Sequence, residues 1–376
     1  MYFFSAWHPV EFDPAAIPPY AVKDALTEAL KSNRIEGFRY ELLNRFDTYL
    51  GDITTVKSAR ILGSTFNAIK TGGFIEITED RNIDYLNDRV RLVYRMKVGD
   101  AWAEWPLGVF LLASPGRVTD GKSVQRSIEM YDKLLILYQD KIEQSYTVAE
   151  GTAATAAIRT VIEGAGESKI NITSSEQELQ SPRTWPPGTS RLTIANDLLN
   201  SINYFSLYAD GNGTYRGEPY VPPGQRSPVW TFADDAEGLY LPDLTLDADY
   251  FNVANKVILA VSNPDADPMT AIATNENPDS PFSYQSRGRW ITDYRQEEEA
   301  TSQSVLDAKA ARILSEAMQV SETITYEHAW LPVGLNDAVR FVNSKLGLSA
   351  RYSIIKQDYK LEAGGLIKSE IRRVVT

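Results

Sequence analysis

The sequence has 376 residues, a net charge of −12 at pH 7 and no cysteine. This length exceeds one ordinary hydrophobic core, so two to four domains are expected. The absence of cysteine excludes disulfides, thiolate metal sites and cysteine nucleophiles. An acidic chain without a lysine- or arginine-rich block also disfavours specific binding of nucleic acid.

Residues 1–35 are predicted to form an arm interrupted by prolines, followed by a short helix between Tyr20 and Lys31. No basic stretch precedes the short apolar run at the start, so a cleaved signal peptide is not expected. No apolar stretch in the sequence reaches the length of a membrane span. We therefore expect synthesis in the cytoplasm without export by a cleaved signal.

Residues 36–148 are predicted to form a mainly β domain. Apolar and basic side chains alternate between Arg89 and Val98, which predicts a strand with one buried face and one solvent-exposed basic face. Gly99 and Asp100 mark the turn that follows. Further apolar runs at similar spacing favour a small barrel or sandwich.

Residues 149–225 are predicted to form a small α+β domain with helices over residues 153–163 and from the N-cap Ser190 onward. The segment 210–213, with the sequence Asp-Gly-Asn-Gly, predicts a β-hairpin turn. Its glycine spacing does not match a dinucleotide-binding loop. It begins like a calcium-binding EF-hand loop, but Val221 stands at position twelve, where glutamate is required.

Residues 226–252 and 321–376 are predicted to form a second β domain, into which residues 253–320 are inserted as a further α+β domain. The insertion contains a predicted amphipathic helix over residues 302–319, because apolar residues recur there at helical spacing. Three glutamates precede this helix and favour its N-terminus.

Two short stretches in the two β domains resemble each other. Asn87–Val93 reads NDRVRLV and Asn336–Val342 reads NDAVRFV, so five of seven positions are identical. A turn, an apolar strand, a glycine-containing connection and another strand follow both copies. Repeated order of this kind is typical of a duplicated unit. We therefore predict that Val90 and Val339 occupy equivalent positions in two similar barrels.

Residues suited to catalysis are few. The two histidines, His8 and His328, lie in no recognisable triad or metal-binding pattern. Two groups of carboxylates leave a glycan hydrolase open as an alternative, because that chemistry needs only two carboxyls at the right separation. These carboxylates are Asp243, Asp247, Asp249, Asp265 and Asp267. Their position beside prolines is more typical of acids in loops and turns.

Tryptophans keep a second alternative open, in which the protein binds glycans by stacking sugars on aromatic rings. The candidates are Trp102, Trp105 and Trp230. Rings that flank alternating strands are more often part of a core or an interface. The sequence thus assigns no catalytic residue, no cofactor site and no metal site.

The order of several segments resembles that of tail hub proteins of long-tailed bacteriophages, often called minor tail proteins. Pro106, Gly108 and Phe110 match the family's Pro-x-Gly-x-aromatic pattern at the start of a barrel strand. Tyr131 and Asp132 lie in a stretch similar to the strand-to-helix step that closes the first barrel. The later segments that share the resemblance are 187–199, 204–220, 222–230 and 255–317.

The resemblance implies an α+β, mainly β fold of four hub domains, in which the first and fourth are similar small β-barrels. Three chains would then present six barrels. A homotrimeric hub of this kind would join sixfold rings of the tail tube to threefold tip proteins, and it would form or close the DNA channel. The acidic balance would suit a surface that DNA passes without sticking, although by itself such a charge is more typical of ordinary solubility.

The resemblance also implies the partners and the location. The expected partners are ring proteins of the distal tail, the tape measure protein and the tip or fibre proteins, and the expected location is the tail tip of the virion, with roles in host attachment and DNA ejection. Many related chains continue into a spike or a hydrolase, whereas this chain stops at Thr376, directly after its last predicted strand. Enzymatic activity is therefore not expected.

Overall fold

The computed structural model describes most of the chain beyond the N-terminal arm. The described residues are 22–80, 82–119, 121–179, 181–235, 238–248, 250–261, 268–297, 303–317 and 320–375. His8, Asp249, Asp265 and Asp267 lie outside these ranges. Among the described residues, no helix is both long enough and apolar enough to cross a membrane.

The first part of the chain is one helix followed by seven strands. These elements are α1 (Val22–Lys31), β1 (Glu36–Leu43), β2 (Tyr49–Asp52), β3 (Val56–Ser64), β4 (Thr71–Thr78), β5 (Arg89–Val98), β6 (Ala101–Thr119) and β7 (Val124–Asp132).

The middle part alternates short helices and short strands. These elements are α2 (Leu134–Gln139), β8 (Tyr146–Val148), α3 (Ala154–Glu163), β9 (Ile170–Ile172), β10 (Arg183–Trp185), α4 (Arg191–Ser201), β11 (Tyr208–Ala209) and β12 (Tyr215–Gly217).

The last part contains nine strands and two helices among the described residues. These elements are β13 (Trp230–Phe232), β14 (Tyr240–Ala248), β15 (Lys256–Val261), β16 (Met269–Thr274), α5 (Tyr284–Arg287), β17 (Thr292–Glu297), α6 (Gln303–Ala317), β18 (Val320–His328), β19 (Ala338–Asn343), β20 (Leu348–Lys360) and β21 (Ile367–Val375). The fold is α+β and mainly β, so the predicted class is confirmed.

Within the described residues, one sheet of thirteen strands connects the early and late parts of the chain. Its order is β14-β18-β21-β20-β3-β4-β7-β6-β5-β1-β2, and β19 adds to β20 with β13 beside it. The join lies between β3 and β20, where Lys356 pairs with Ser64 and Lys360 pairs with Arg60. The long strand β20 can make this join because its first half pairs with β19 and its second half with β3.

The core of the early strands follows the period-two alternation of a pleated sheet. Val90, Leu92, Phe110, Ile128 and Met130 point into one cluster, and each is at most 1% exposed. Burying side chains of this size stabilises the fold by about 1.5–3 kcal/mol each relative to exposing them.

The prediction of a solvent-exposed basic face on β5 is wrong. Arg89 is only 7% exposed, Arg91 pairs with the buried carboxylate of Glu41, and the Arg95 guanidinium lies 4.7 Å from the ring centroid of Trp102. The strand is covered on both faces, and the carboxylates that cover the basic face come from distant parts of the sequence.

The α+β region that follows has its own core, formed mainly by one face of α3 and one face of α4. Helix α4 begins where predicted, because the Ser190 hydroxyl accepts the backbone N–H of Thr193 at 3.1 Å. The predicted hairpin is also present, since β11 and β12 pair antiparallel across residues 210–214. Its Asp210 carboxylate accepts the N–H groups of Asn212 and Thr214.

Residues 245–325 and 372–376 form a second compact unit, and residues 1–244 and 326–371 form the first. In the second unit β15 lies between antiparallel β16 and parallel β17, and buried side chains of α6 share a core with this sheet. The predicted helix over residues 302–319 is present as Gln303–Ala317. The predicted division into four domains remains a prediction.

The two similar stretches lie at β5 and β19. Each strand is followed by two neighbouring strands in chain order, β6-β7 after β5 and β20-β21 after β19. Val90 pairs with Phe110 of the next strand, and Val339 pairs with Tyr352 of the next strand. On the other side the surroundings differ, because β1 is antiparallel to β5 whereas β13 is parallel to β19.

The aspartate shared by the two stretches has the same local role in each. Asp88 accepts the backbone N–H of Asp84, and Asp337 accepts that of Gly334, both at 2.9 Å. Each carboxylate therefore fixes the turn that leads into its strand.

Removing these two carboxylates should have unequal effects. Asp337 is 1% exposed, so Asp337→Ala leaves a buried N–H without a partner and should lower the free energy of unfolding by about 1–3 kcal/mol. Asp88 is only half-buried, and water can replace it, so Asp88→Ala should cost less than about 1 kcal/mol. Urea unfolding of both variants measures the two losses of unfolding free energy. Equal losses would contradict the conclusion that the two carboxylates have the same role at different depths of burial.

Candidate functional site

Four charged side chains form a closed ring in the interior of the first unit. Arg89 Nη1 lies 2.6 Å from Asp47 Oδ1, and Arg89 Nη2 lies 2.8 Å from Glu167 Oε1. The Nζ of Lys133 lies 2.7 Å from Asp47 Oδ2 and 2.6 Å from Glu167 Oε2. All four side chains are at most 9% exposed, and every carboxylate oxygen has a cation beside it.

The ring draws together four separate segments. Asp47 lies in the turn between β1 and β2 with a left-handed φ of 60°, Arg89 opens β5, Lys133 stands between β7 and α2, and Glu167 follows α3. The Tyr215 hydroxyl donates to the Lys133 carbonyl at 2.8 Å. The ring therefore fixes how the α+β region packs on the early strands.

The electrostatics of the ring favour the charged forms of Asp47 and Arg89. Burial opposes ionisation of Asp47, but attraction and hydrogen bonds from Lys133 and Arg89 lower its pKa below the ordinary value. Burial likewise opposes the charge on Arg89, but Glu167 and Asp47 raise its pKa. Isolated charges at this depth would cost several kcal/mol each, so the four groups are stable there only together.

A second contact between the early strands and the α+β region is made by backbone atoms. Strand β6 carries a bulge, since Leu92 pairs with Gly108 and Val93 with Pro106. The Pro106 carbonyl then meets the hairpin turn at Gly211, where a Cβ would lie 2.0 Å from the carbonyl oxygen. No residue with a side chain can occupy position 211 in this arrangement.

The other residues that carried the resemblance to tail hub proteins make contacts that stabilise the fold. A Cβ on Gly108 would lie 2.6 Å from the Phe110 ring, so glycine lets that ring enter the core. The Tyr131 hydroxyl donates to Glu129 at 3.1 Å. Asp132 is 2% exposed and accepts the N–H groups of Thr71 and Leu134 at 2.7 and 2.9 Å, which ties β4 to the start of α2.

Burial raises the pKa of Asp132 to about 6, although these hydrogen bonds and the nearby Lys70 favour its charged form. Its carboxylate contacts two backbone N–H groups and faces no open cleft. A raised pKa in this setting reflects burial rather than acid–base chemistry.

One serine–histidine pair is present. His328 Nδ1 lies 2.7 Å from the Ala329 carbonyl and therefore carries the proton, which leaves Nε2 to accept from the Ser369 hydroxyl at 2.8 Å. This geometry resembles an activated serine, but both residues are 0% exposed. A substrate cannot reach them, so the pair acts as a buried polar link between β18 and β21.

Of the carboxylates considered for glycan hydrolysis, the two that lie in the described residues are too far apart to form a catalytic pair. Asp243 and Asp247 both lie on the exposed strand β14. Four residues of a strand span about 13 Å, whereas paired glycosidase carboxylates lie about 5–9.5 Å apart. Among the described residues there is also no group of three His, Asp or Glu side chains that could hold a metal ion.

The tryptophans give little support to a glycan site. Trp105 and Trp230 are buried, and Trp102 is 36% exposed beneath the Arg95 guanidinium. A cavity lined by Trp105, Trp330 and Gln357 has a volume of about 70 Å³. It is far smaller than ordinary ligand pockets of about 300–1,000 Å³.

Sequence reasoning missed the ion ring. Its members are up to 120 residues apart, from Asp47 to Glu167, and each reads as an ordinary surface charge. The one available signal was Lys133, a cation directly before the apolar start of α2.

The fold is similar to that of tail proteins. The crystal structure of a tail protein from Neisseria meningitidis MC58 matches with a TM-score of 0.61 and 12% identity, over 90% of this chain and 97% of that one. A 43 kDa tail protein of prophage MuSo2 from Shewanella oneidensis matches with a TM-score of 0.61 and 12% identity, over 90% of this chain and 98% of that one. A chain of the half-lidded Francisella PdpA–VgrG complex matches with a TM-score of 0.59 and 9% identity, over 96% of this chain and 62% of that one.

No protein-family model matches the sequence, and no curated protein matches it. The chain thus shares a fold, over most of its length, with proteins whose sequences are only 9–12% identical to its own.

Opening the ion ring should destabilise the first unit. In Glu167→Gln, Arg89 and Lys133 keep only Asp47 as a carboxylate, and the free energy of unfolding should fall by about 3–5 kcal/mol. Glu163→Gln, at an exposed position of α3, is the matched control and should change it by less than about 0.5 kcal/mol. Equal effects in chemical denaturation would contradict this account.

The buried His328 predicts loss of stability in acid. Burial lowers the pKa of His328 from 6.5 to about 4, so between these values the unfolded chain binds a proton that the folded chain does not. The contribution is complete above pH 6.5 and is lost as the pH falls towards 4. At pH 5 the loss amounts to about 2 kcal/mol.

The comparison is urea unfolding at pH 7 and pH 5 for the native chain and His328→Gln. The variant should lose about 2 kcal/mol less between the two pH values, even if it is less stable at pH 7. An identical pH response in the two proteins would show that His328 does not carry the effect.

Proposed function

We propose that this protein is a structural component of a bacteriophage tail, a homotrimeric hub at the distal end of the tail. The observation that carries the proposal is the agreement in fold with two tail proteins, which covers 90% of this chain and 97–98% of theirs. Agreement over most of both chains supports a shared architecture rather than one shared module.

The proposed mechanism is geometric. Residues 36–148 form one barrel-like domain and residues 226–252 with 321–376 form the other, while residues 149–225 and 253–320 are the α+β domains between them. The similar strand order after β5 and after β19 supports this duplication. Three chains with two similar domains each present six, which allows a threefold hub to dock on sixfold tube rings. In this proposal Val90 and Val339 are equivalent positions.

The proposed partners are ring proteins of the distal tail, the tape measure protein, and tip or fibre proteins. In the virion the hub lies at the tail tip, where it forms or closes the DNA channel and takes part in host attachment and DNA ejection. The net charge of −12 would keep a channel wall from binding DNA. A reconstruction of the tail with mostly basic residues lining the channel would contradict this part.

The proposal includes no enzymatic activity. The hydrolase alternative is disfavoured by the spacing of Asp243 and Asp247. Of the three tryptophans considered for glycan binding, only the partly covered Trp102 is exposed. No observation favours either alternative over the hub proposal.

The mass of the protein in solution and its copy number in the virion test the hub proposal. Light scattering after size-exclusion chromatography should give about three times the 42.0 kDa of one chain, and purified tails should contain three copies at the tip. A protein that stays a monomer or dimer at high concentration, and is absent from tails, would overturn the proposal.

A further inference from the structure

The second unit carries a cluster of exposed aromatic rings and cations that is suited to binding a partner. We call it the aromatic–cation face, and it consists of Tyr250, Phe251, Lys256, Tyr284, Arg289 and Trp290. Its four rings are between 37% and 68% exposed. Tyrosine, tryptophan and arginine are enriched in the central parts of protein interfaces.

The face is held in place before any partner binds. The Arg287 guanidinium donates to the carbonyls of Tyr250 and Phe251. The fully buried Asn255 donates to the Arg289 carbonyl at 3.0 Å and accepts the Ile291 N–H at 2.7 Å. Ordering these loops therefore costs little on binding, which favours affinity.

The rings already have neighbours from the chain itself. Tyr284 stacks on Trp290 at 4.5 Å between centroids, and Lys256 Nζ lies over the same indole at 5.3 Å. The Arg289 guanidinium lies over Phe251 at 4.6 Å. These groups occupy ring surface of Trp290 and Phe251 that a sugar would use for stacking, so the arrangement favours a protein partner.

The charge of the face indicates what that partner carries. Among the described residues, the side chains of Lys256 and Arg289 form no ion pair, although the chain as a whole has twelve more acidic than basic groups. Two unpaired cations beside apolar rings are complementary to a surface that carries carboxylates.

This chain carries such a surface on β14, the terminal strand of the large sheet. Asp243, Thr245 and Asp247 alternate along the strand and share one face, and all three are exposed. Neither aspartate forms an ion pair among the described residues. We call this surface the acidic strand.

We propose that the aromatic–cation face binds the acidic strand of a second copy of this chain. In the proposed trimer the contact is heterologous: the face of each copy binds the acidic strand of the next copy, and three such contacts around a threefold axis close a ring. This inference rests on the proposed trimeric function and adds to it the surfaces through which the copies meet.

Charge reversal on each surface and on both tests the contact in the full-length protein. Lys256→Glu with Arg289→Glu places acids against acids, and Asp243→Lys with Asp247→Lys places cations against cations. Each double variant should weaken trimer association by roughly a hundredfold or more, because like charges in contact cost several kcal/mol. The four substitutions together should restore association to within about tenfold of the native chain.

The control is Lys57→Glu with Arg159→Glu, which makes the same change in net charge at two exposed positions of the first unit and should leave the trimer intact. Circular dichroism shows that each variant is folded. Mass is measured by light scattering over a range of concentrations.

The outcomes separate this inference from the proposed function. A trimer that survives both double variants overturns the contact but leaves the hub. Dissociation without rescue in the fourfold variant overturns the acidic strand as the partner surface. Trimers that persist while tails fail to assemble would show that the face binds a different tail protein. A native chain that is monomeric at all concentrations overturns the contact and the hub together.

Discussion

The arrangement of the first unit depends on the closed ring of Asp47, Arg89, Lys133 and Glu167. Buried charges are costly unless each one is paired, so a near-native packing that separated any one of them would be strongly penalised. Apolar side chains of similar volume would tolerate small shifts between the early strands and the helical region. The ring does not tolerate them, because every carboxylate oxygen is matched to a cation at 2.6–2.8 Å. Its contribution is therefore to the uniqueness of the packing more than to its net free energy.

The glycine contact at Pro106 acts in the same direction by a different force. Gly211 brings the hairpin turn against the Pro106 carbonyl, at a distance that any Cβ would obstruct. One contact is electrostatic and the other is steric, and they lie on neighbouring strands, β5 and β6. Together they give a rigid joint between the β and α+β regions, which suits a protein whose proposed role is to hold other proteins at fixed angles.

Prediction from sequence succeeded where the signal is local. Helices α4 and α6 follow from apolar spacing and a serine cap, and the hairpin at residues 210–213 follows from its glycines and asparagine. It failed for the basic face of β5, because the groups that cover Arg89 and Arg91 are contributed by Glu167, Asp47 and Glu41. A pattern within β5 shows which side chains alternate, but it does not show what lies opposite the second face. The same limit hid the link between His328 and Ser369, which depends on the order of strands in the sheet.

The similarity between Asn87–Val93 and Asn336–Val342 has a physical basis and a physical limit. The shared aspartate fixes the turn before each strand, and the shared valine is buried against the strand that follows, so these positions are constrained in both copies. The flanking strand is not shared, because β1 runs antiparallel to β5 and β13 runs parallel to β19. If the two domains alternate around a sixfold ring, as we propose, they offer neighbours a similar set of three strands but different edges. A trimer would then present six equivalent copies of the three shared strands, so six similar contacts can form through them. Each type of edge occurs only three times, so only three similar contacts can form through it. A chain that joins sixfold to threefold symmetry requires this combination.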